Sequence, residues 1–534
     1  MAGLVAPVYI LSPNQERILE FKGYNKRSVI DDGEMRDMSN LSSDEYPCLY
    51  QRKPRGICET GIPNMGKPTA IAVKNQKLAI IADGKFYYDG ALYPSLKLSD
   101  KTQMVAINTR ICFFPEKKWF NVKTGTFGDL DAKVEAKDVT VSVSSTSIMF
   151  SESMGFAEKF AAGDAIQLET SNVDLNISAA IESVSDREIT FPSDTFISVI
   201  AEGETELSVK LSSFKAERSC PDLDFVMESN NRLWGVSNKD NTIYACKLGD
   251  PTNWAYFQNT TLDSYYAEQG TDGEWTGCAA YSTHLLFFKE DYIHKVYGSK
   301  PSAYSIETAK CHALEKGSHK SVAIINETVL YKSRLGIMAY SGGTPVLISE
   351  NFGTDKLYDA VAGTDGIKYY VSVLRDGLPE LLVYDMERFL WHKEDSVRVR
   401  EFVYHNGKLV FINDADNVIY EIDSDTPMKG EEDILWMAEL GPFDEFIEDK
   451  KVYSKLKMRL NLEKGSELAI FISIDGGDWE RLEYVVYEHE GARDIPVVPR
   501  RCNKFSVRLE GKGYCKIESL VRVYRHGSSR KDVK

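Results

Sequence analysis

Few residues in this chain have the types and spacing that chemistry needs. His284, His294, His312 and His319 fall close together, but at none of the separations that bring imidazoles onto one metal ion. His294 lies on the same strand face as Tyr292, and the four read as strand or loop residues, not ligands. Asp414-Ala415-Asp416-Asn417 has the acidic density of a calcium loop, yet it lacks the glycine and the distal glutamate of that motif. It reads as a hairpin turn held by Asx hydrogen bonds, and so does Asn238-Lys239-Asp240-Asn241. Carboxylate pairs occur at Glu445 with Asp449, Glu431 with Glu432, and Asp222 with Asp224. Such pairs can cleave a glycosidic bond, but sequence alone does not separate that arrangement from solvated charge. The chain has no Gly-x-Ser-x-Gly elbow, phosphate-binding loop, dinucleotide fingerprint or His-Glu-x-x-His. No catalytic, cofactor-binding or metal-ligating residue is assigned, no cofactor is expected, and the chain reads as a non-enzyme.

Aromatic residues offer a different chemistry. Trp234, Trp254, Trp275 and Trp391 lie with tyrosines and phenylalanines inside recurring segments. Exposed, they would form a surface on which sugar rings stack; buried, they would fill the wedges between twisted sheets. Packing is the expectation. One loop exceeds the recurring pattern, the Gly249-Asp250-Pro251 turn with Trp254 after it. If the chain recognises a partner through this region, the expected residues are Asp250, Pro251 and Trp254.

The elements that must position these residues are strands. Helical periodicity is hard to find, whereas short apolar runs bounded by Gly, Asn or Asp recur throughout. A longer repeat is superimposed on them. Segments beginning at Lys67, Lys101, Asp222, Thr276, His319, Tyr358 and Val399 each present a short apolar strand, a turn, a second strand such as KLAIIA, RLWGVS or KLVFIN, and a third after a polar turn. A period of roughly 35 to 45 residues with three or four strands per unit predicts a β-propeller of about seven blades. The N-terminal strands, including YPCLYQRKPR at 46–55, are expected to complete the last blade and leave no open edge. The fold class is thus all-β. Residues 1–130 hold the N-terminal strands and first blades, 131–216 a small inserted β-barrel or sandwich, and 217–424 the remaining blades. A jelly-roll-like β-sandwich follows over 432–527, with a loose tail at 528–534.

Composition excludes several classes. The 534 residues carry 64 basic and 80 acidic side chains, a net charge of −16. Such a surface repels phosphate, so adhesive nucleic-acid binding is not expected, although DNA could slide past without sticking. Nine cysteines, an odd number with no Cys-x-x-Cys, predict reduced thiols and synthesis in a reducing cytosol. The N-terminus has no basic segment before an apolar run, so no secretory signal is expected, and no apolar stretch approaches the ~18 residues of a membrane span.

ESNNRLWGVSNKDNTIYACKLGDPTNWAYF at 228–257 resembles a pattern found in phage and prophage virion proteins of Gram-positive gut bacteria. LLFFKEDYIHKVYG (285–298), FLWHKED (389–395), VPRRCNKFSVRLEGKGYCKIESL (498–520) and DMSNLSSDEYPCLYQRKPRG (37–56) extend the resemblance over most of the chain. The architecture is also similar to the tail nozzle proteins of short-tailed phages, with no functional residue carried over. The resemblance implies a structural protein made in the bacterial cytoplasm and built into a virion tail. It would be a homo-oligomeric ring that contacts other tail proteins and lets DNA pass without specific binding, and it would have no membrane anchor. The alternative expectation is a tail module that binds or cleaves host-surface polysaccharide.

Overall fold

The computed structural model describes residues 13–200 and 203–526. The first twelve residues and the tail expected at 528–534 lie outside them. Among the described residues the architecture is all-β, with one α-helix, Phe156–Lys159, and a few single-turn 3-10 segments.

Seven sheets have four strands each, and they follow one another along the chain. Their first strands begin at Pro68, Gln103, Phe225, Trp275, Ala323, Leu357 and Val399. All neighbouring strands within these sheets run antiparallel, and the first hairpin often carries its own signature. The turns at Asn75-Gln76, Asn230-Asn231 and Asn326-Glu327 have positive φ at both residues, and Asn406-Gly407 does too. Two-residue hairpins with the right strand twist require that backbone, and asparagine tolerates it better than other residues with a Cβ.

The first strands pack side by side around an axis. The strand at Pro68–Lys74 touches Gln103–Ile107, Gln103–Ile107 touches Phe225–Ser229, and Phe225–Ser229 touches Trp275–Ala280. The fifth sheet joins through the 3-10 turn His319–Ser321, which touches both Trp275–Ala280 and Leu357–Thr364. Leu357–Thr364 meets Val399–His405, and that strand returns to Pro68–Lys74. The circuit is closed, as in a β-propeller. Apolar clusters sit between neighbouring sheets, for example Ile71, Ile80, Val410 and Ile412 between the last sheet and the first.

The outer strand of the seventh sheet is Gly56–Ile57, paired with Ile419–Glu421 and extended by the Cys58 amide donating to the Ile419 carbonyl at 2.9 Å. The strand that closes the circuit therefore comes from before the first sheet, but it is not the 46–55 segment expected to do so. Leu49–Gln51 pairs instead with the C-terminal strand Cys515–His526. Asn14–Ile18 also pairs with that strand, and Glu34–Ser39 pairs with Leu435–Phe443. Most of the N-terminal region thus belongs to the C-terminal sheets, not with the first ring sheets. Apolar burial explains the choice. Ile18, Tyr24, Met35, Met38, Leu41 and Leu49 are buried in one cluster with Leu456, Met458, Ile470, Val507 and Leu520.

The two terminal sheets have six and seven strands and face each other across that cluster. Their strands alternate buried and open positions, as in Lys451–Leu462, the pattern of a sheet with one face in a core.

Between the second and third ring sheets, Ala132–Ser144 and Glu206–Arg218 pair along almost their whole length and anchor a seven-stranded sheet with its own core, including Val141, Ile148, Phe156 and Phe214. Its edge strands, Ile177–Ala180 and Ser183–Val184, do not pair with each other. The sheet therefore curls over its core without the closure of a barrel.

Candidate functional site

Two places could carry function: the loop singled out by sequence and a cavity at the centre of the ring.

In the loop, the Asp250 carboxylate accepts from the backbone N–H and the hydroxyl of Thr252, at 3.1 and 2.7 Å. This is an Asx turn, and Arg110 approaches the same oxygen at 3.6 Å. Pro251 is buried, and its carbonyl accepts from the Trp254 indole N–H at 2.9 Å. Trp254 is 4% exposed and packs with Ile107, Phe114, Leu130 and Leu233 between the second and third ring sheets. The expected interaction loop is corrected by this burial: Trp254 offers nothing to a partner, and only part of Asp250 reaches solvent.

The segment instead holds the inserted sheet. Asn253 Nδ2 donates to Asp164 Oδ1 at 2.7 Å. The Ala165 amide donates to the Ala255 carbonyl at 2.6 Å, and the Phe257 amide to the Gly163 carbonyl at 2.9 Å. From the neighbouring strand, the buried Arg232 guanidinium donates to the carbonyls of Cys246, Thr261 and Asp263, each at 2.6 Å. The residues of the Asn-Arg-Leu-Trp-Gly stretch and the loop after it are therefore packing and clamping residues.

The other sequence candidates resolve similarly. Trp234, Trp275 and Trp391 are buried, so a sugar-stacking surface has no ring at these positions. Asp416 accepts from the Val418 amide at 3.0 Å and Asn413 from the Ala415 amide at 3.1 Å, which is Asx turn geometry. Asn238 Oδ1 accepts from the Trp275 amide at 2.7 Å and joins the third sheet to the fourth. Glu445 is no solvated charge. It is buried, and it accepts from Tyr453 and Arg522 at 2.8 Å each. Glu431 is held by Arg52 at 2.6 Å, and Asp222 by Lys117 at 2.6 Å. The four histidines do not converge. His294 bonds Thr271 and Thr308 at 3.0 and 2.9 Å, and burial lowers its pKa to about 4. His284 bonds Thr283 and Tyr340 at 2.9 and 2.8 Å. His312 is exposed. No group of three His, Cys, Asp or Glu side chains suited to a metal ion occurs among the described residues. The nine cysteines form no disulfide.

His319 lines the second place, which sequence reasoning missed. A cavity of about 620 Å³ lies on the ring axis, within the range of roughly 300–1,000 Å³ typical of small-ligand sites. The inner strands of several ring sheets build it at the ends where they enter the ring. Phe114, Phe225 and Val226 give it apolar walls. Gly277 makes room for the Leu314 side chain, whose Cδ2 would lie 2.5 Å from a Cβ there. His319 lies 5.2 Å from the Phe225 ring, centre to centre, and burial first, with the Lys320 charge second, lowers its pKa to about 4. Burial pushes the Cys278 thiol up to about 12, so it stays protonated.

Lys320 and Glu401 form an ion pair on the wall of this cavity, which Asp100, Lys101 and Asp224 also line. Lys320 Nζ donates to Glu401 Oε2 at 3.3 Å and to the Arg400 carbonyl at 3.4 Å. The Ile71 amide donates to the same Glu401 oxygen at 3.2 Å. Burial raises the Glu401 pKa, with Lys320 opposing. The signal that could have found this site is weak, because consecutive units bring the residues together only when the ring closes.

No family model and no curated protein matches the chain. Among solved structures, yeast Hsv2 from Kluyveromyces lactis aligns at 13% identity over 39% of this chain and 66% of its own, with a TM-score of 0.26. An exo-beta-1,3-galactanase from Phanerochaete chrysosporium aligns at 10% identity over 56% and 94%, with a TM-score of 0.23. PorZ, a surface component of the type-IX secretion system of Porphyromonas gingivalis, aligns at 10% identity over 86% and 77%, with a TM-score of 0.27.

Proposed function

We propose that this chain is a structural component of a bacteriophage virion tail, a rigid platform or nozzle-like adaptor that contacts neighbouring tail proteins as a homo-oligomeric ring. In this reading the seven four-stranded sheets are the blades of one propeller, the sheet over 132–218 is an inserted domain, and the terminal sheets form a sandwich attached to the ring.

One observation carries the reading: residues 37–57 stitch the sandwich to the ring. Arg55 donates to Asp395 and Glu394, each at 2.6 Å, beside the Arg52–Glu431 pair. Ser43 donates to Asp385 at 2.5 Å, and the Asn40 amide to the Glu394 carbonyl at 2.7 Å. Lys368 bonds Asp44, and Lys393 bonds Asp37. A hinged or closing device keeps its domain junctions sparsely bonded. This junction is dense and buried, as a load-transmitting part requires.

The axial cavity is walled by side chains and has no room for a duplex. A DNA path in this reading runs along the axis of the oligomer, between copies, where the acidic surface keeps DNA from adhering. The host-polysaccharide reading was motivated by the terminal sandwich and the tryptophans; Trp254 and Trp275 are buried and offer no stacking face to a sugar. Imaging of particles and the mass of the purified protein test the proposal: symmetric density containing this chain supports it, and a strict monomer absent from particles overturns it.

A further inference from the structure

We infer that a cavity between the third and fourth ring sheets binds an oxyanion, a carboxylate or phosphate group on a compact body, with Arg232 as its counter-ion. A guanidinium stays charged in any protein environment, and a buried charge is ordinarily paired. Of the six buried arginines among the described residues, Arg52, Arg55, Arg218, Arg375 and Arg522 each form an ion pair with a carboxylate, and Arg232 forms none. Arg232 is 2% exposed and donates to the main-chain carbonyls of Cys246, Thr261 and Asp263. The Asp263 carboxylate is turned to its own loop, where it accepts from the Gln258 and Thr260 amides at 3.1 Å each and from the Thr260 hydroxyl at 2.8 Å. The carbonyls take three of the five guanidinium N–H donors. The two left over, on Nε and Nη2, have neither a carbonyl nor a carboxylate to bond among the described residues. Tyr304 stands near them, and the Arg232 charge opposes the rise that burial gives its pKa, but a neutral hydroxyl supplies no counter-charge.

The cavity has a volume of about 270 Å³ and lies where the first hairpin of the third sheet meets that of the fourth. That is just under the roughly 300 Å³ at which drug-sized sites begin, so the body that carries the anion is small. Trp234 lines the cavity beside Arg232, is 2% exposed, and has no acceptor for its indole N–H among the described residues. Ser229, Ser282 and Ser299 add hydroxyls that bond no other protein group there. No Asp or Glu lines this cavity, in a chain of net charge −16, whereas Asp100, Asp224 and Glu401 line the axial one. A wall with one cation, free donors and no carboxylate selects by the sign of charge. An oxyanion gains an ion pair and hydrogen bonds, a neutral polar molecule brings no counter-charge, and a cation is repelled. His284 is in the wall too, but both its ring nitrogens are bonded, and burial first, then Lys295, lowers its pKa. Arg232 therefore supplies the positive charge.

The test titrates the full chain by isothermal titration calorimetry with inorganic phosphate and with acetate, at constant ionic strength in chloride. Acetamide and methylamine are the neutral and cationic counter-probes. The expected result is saturable one-to-one binding of phosphate or acetate and none of either counter-probe, and the tighter anion tells a phosphate site from a carboxylate site. Ser282→Asp, at an exposed position on the rim, adds a like charge and should weaken binding about tenfold or more. Trp234→Phe keeps a ring and removes the N–H, and should weaken it about tenfold, the loss of one hydrogen bond to a charged group. Arg232→Met should abolish binding. Arg232 also clamps three carbonyls, so thermal melting accompanies each variant, and Ser282→Asp supplies the decisive arm if Arg232→Met is poorly folded. The inference is overturned if neither anion saturates, if acetamide or methylamine binds as tightly, or if Ser282→Asp and Trp234→Phe bind as the parent does.

Discussion

Arg218 and Asp164 form a buried ion pair at the root of the inserted sheet, with 8% and 0% of their side chains exposed. Asn253 reaches the other Asp164 oxygen from the third ring sheet, and the Ala161 amide adds a bond at 2.9 Å. Removing one partner of such a pair leaves an uncompensated buried charge, which costs about 3–5 kcal/mol. Asp164→Ala is expected to lower stability by that order in chemical denaturation. Asn253→Ala is milder, about 1–3 kcal/mol, and should raise protease sensitivity at the edges of the 132–218 segment before it affects the ring. Equal protease sensitivity in the variant and the parent would show that Asn253 does not hold the insertion.

Trp254→Ala separates packing from recognition. Its ring fills the wedge between the second and third sheets, so truncation should cost about 3–5 kcal/mol, the usual range for a buried large aromatic. A fully stable Trp254→Ala protein would contradict the packing role.

The terminal sheets predict a truncation result. A fragment of 432–534 lacks the strands contributed by residues 14–51, and its apolar core would lose the faces of Met35, Met38 and Leu49. It should show no dispersed amide spectrum when expressed alone. Co-expression of a 13–55 peptide should restore one, since the pairing strands need no covalent link to the fragment. A well-folded 432–534 fragment would overturn this pairing.

Acid should destabilise the protein, and the sign follows from the buried groups. Burial lowers His294, His319 and His392 to about 4 from an ordinary 6.5. A base with a depressed folded pKa contributes fully above 6.5 and loses that contribution as pH falls toward 4. Asp423 opposes this. Burial, then Asp44, raises it to about 6 from 3.8, so the folded state takes up its proton first and the penalty of its charge is relieved as pH falls through 6. Near pH 5 the unfolded chain binds about two more protons than the folded one from these four groups, so stability should fall by roughly 3 kcal/mol per pH unit there. Asp423→Asn should raise the melting temperature at pH 7.5 and have little effect at pH 4. A melting temperature flat between pH 7 and 5 would contradict the assignment.

Much of this architecture was legible before any coordinates, and the reasons are local. The Asn-X turns and the apolar runs around them write four of the ring hairpins within about a dozen residues, so the repeat could be read from sequence. The strands of the sheet over 132–218 alternate buried and open positions, where the ring strands are continuously apolar. The destination of residues 14–51 was not legible. The C-terminal strands that three of their strands join lie about 400 residues or more away, and short strands such as Leu49–Gln51 carry no mark of which sheet they join. Trp254 misled for a related reason: an aromatic after a Gly-Asp-Pro turn looks exposed when its loop is read alone, and it is buried only by Ile107, Phe114 and Leu130 of another unit. The Lys320–Glu401 pair was invisible because 81 residues separate its carboxylate acceptor from its donor and only ring closure joins them.

The most direct test of the structural role is a reconstruction of the particle that carries this protein. The account predicts symmetric tail density into which several copies fit, ring and sandwich together as one rigid unit with the stitched junction at residues 37–57 unchanged. Particles with no density for this chain, or density in which ring and sandwich separate at that junction, would contradict it.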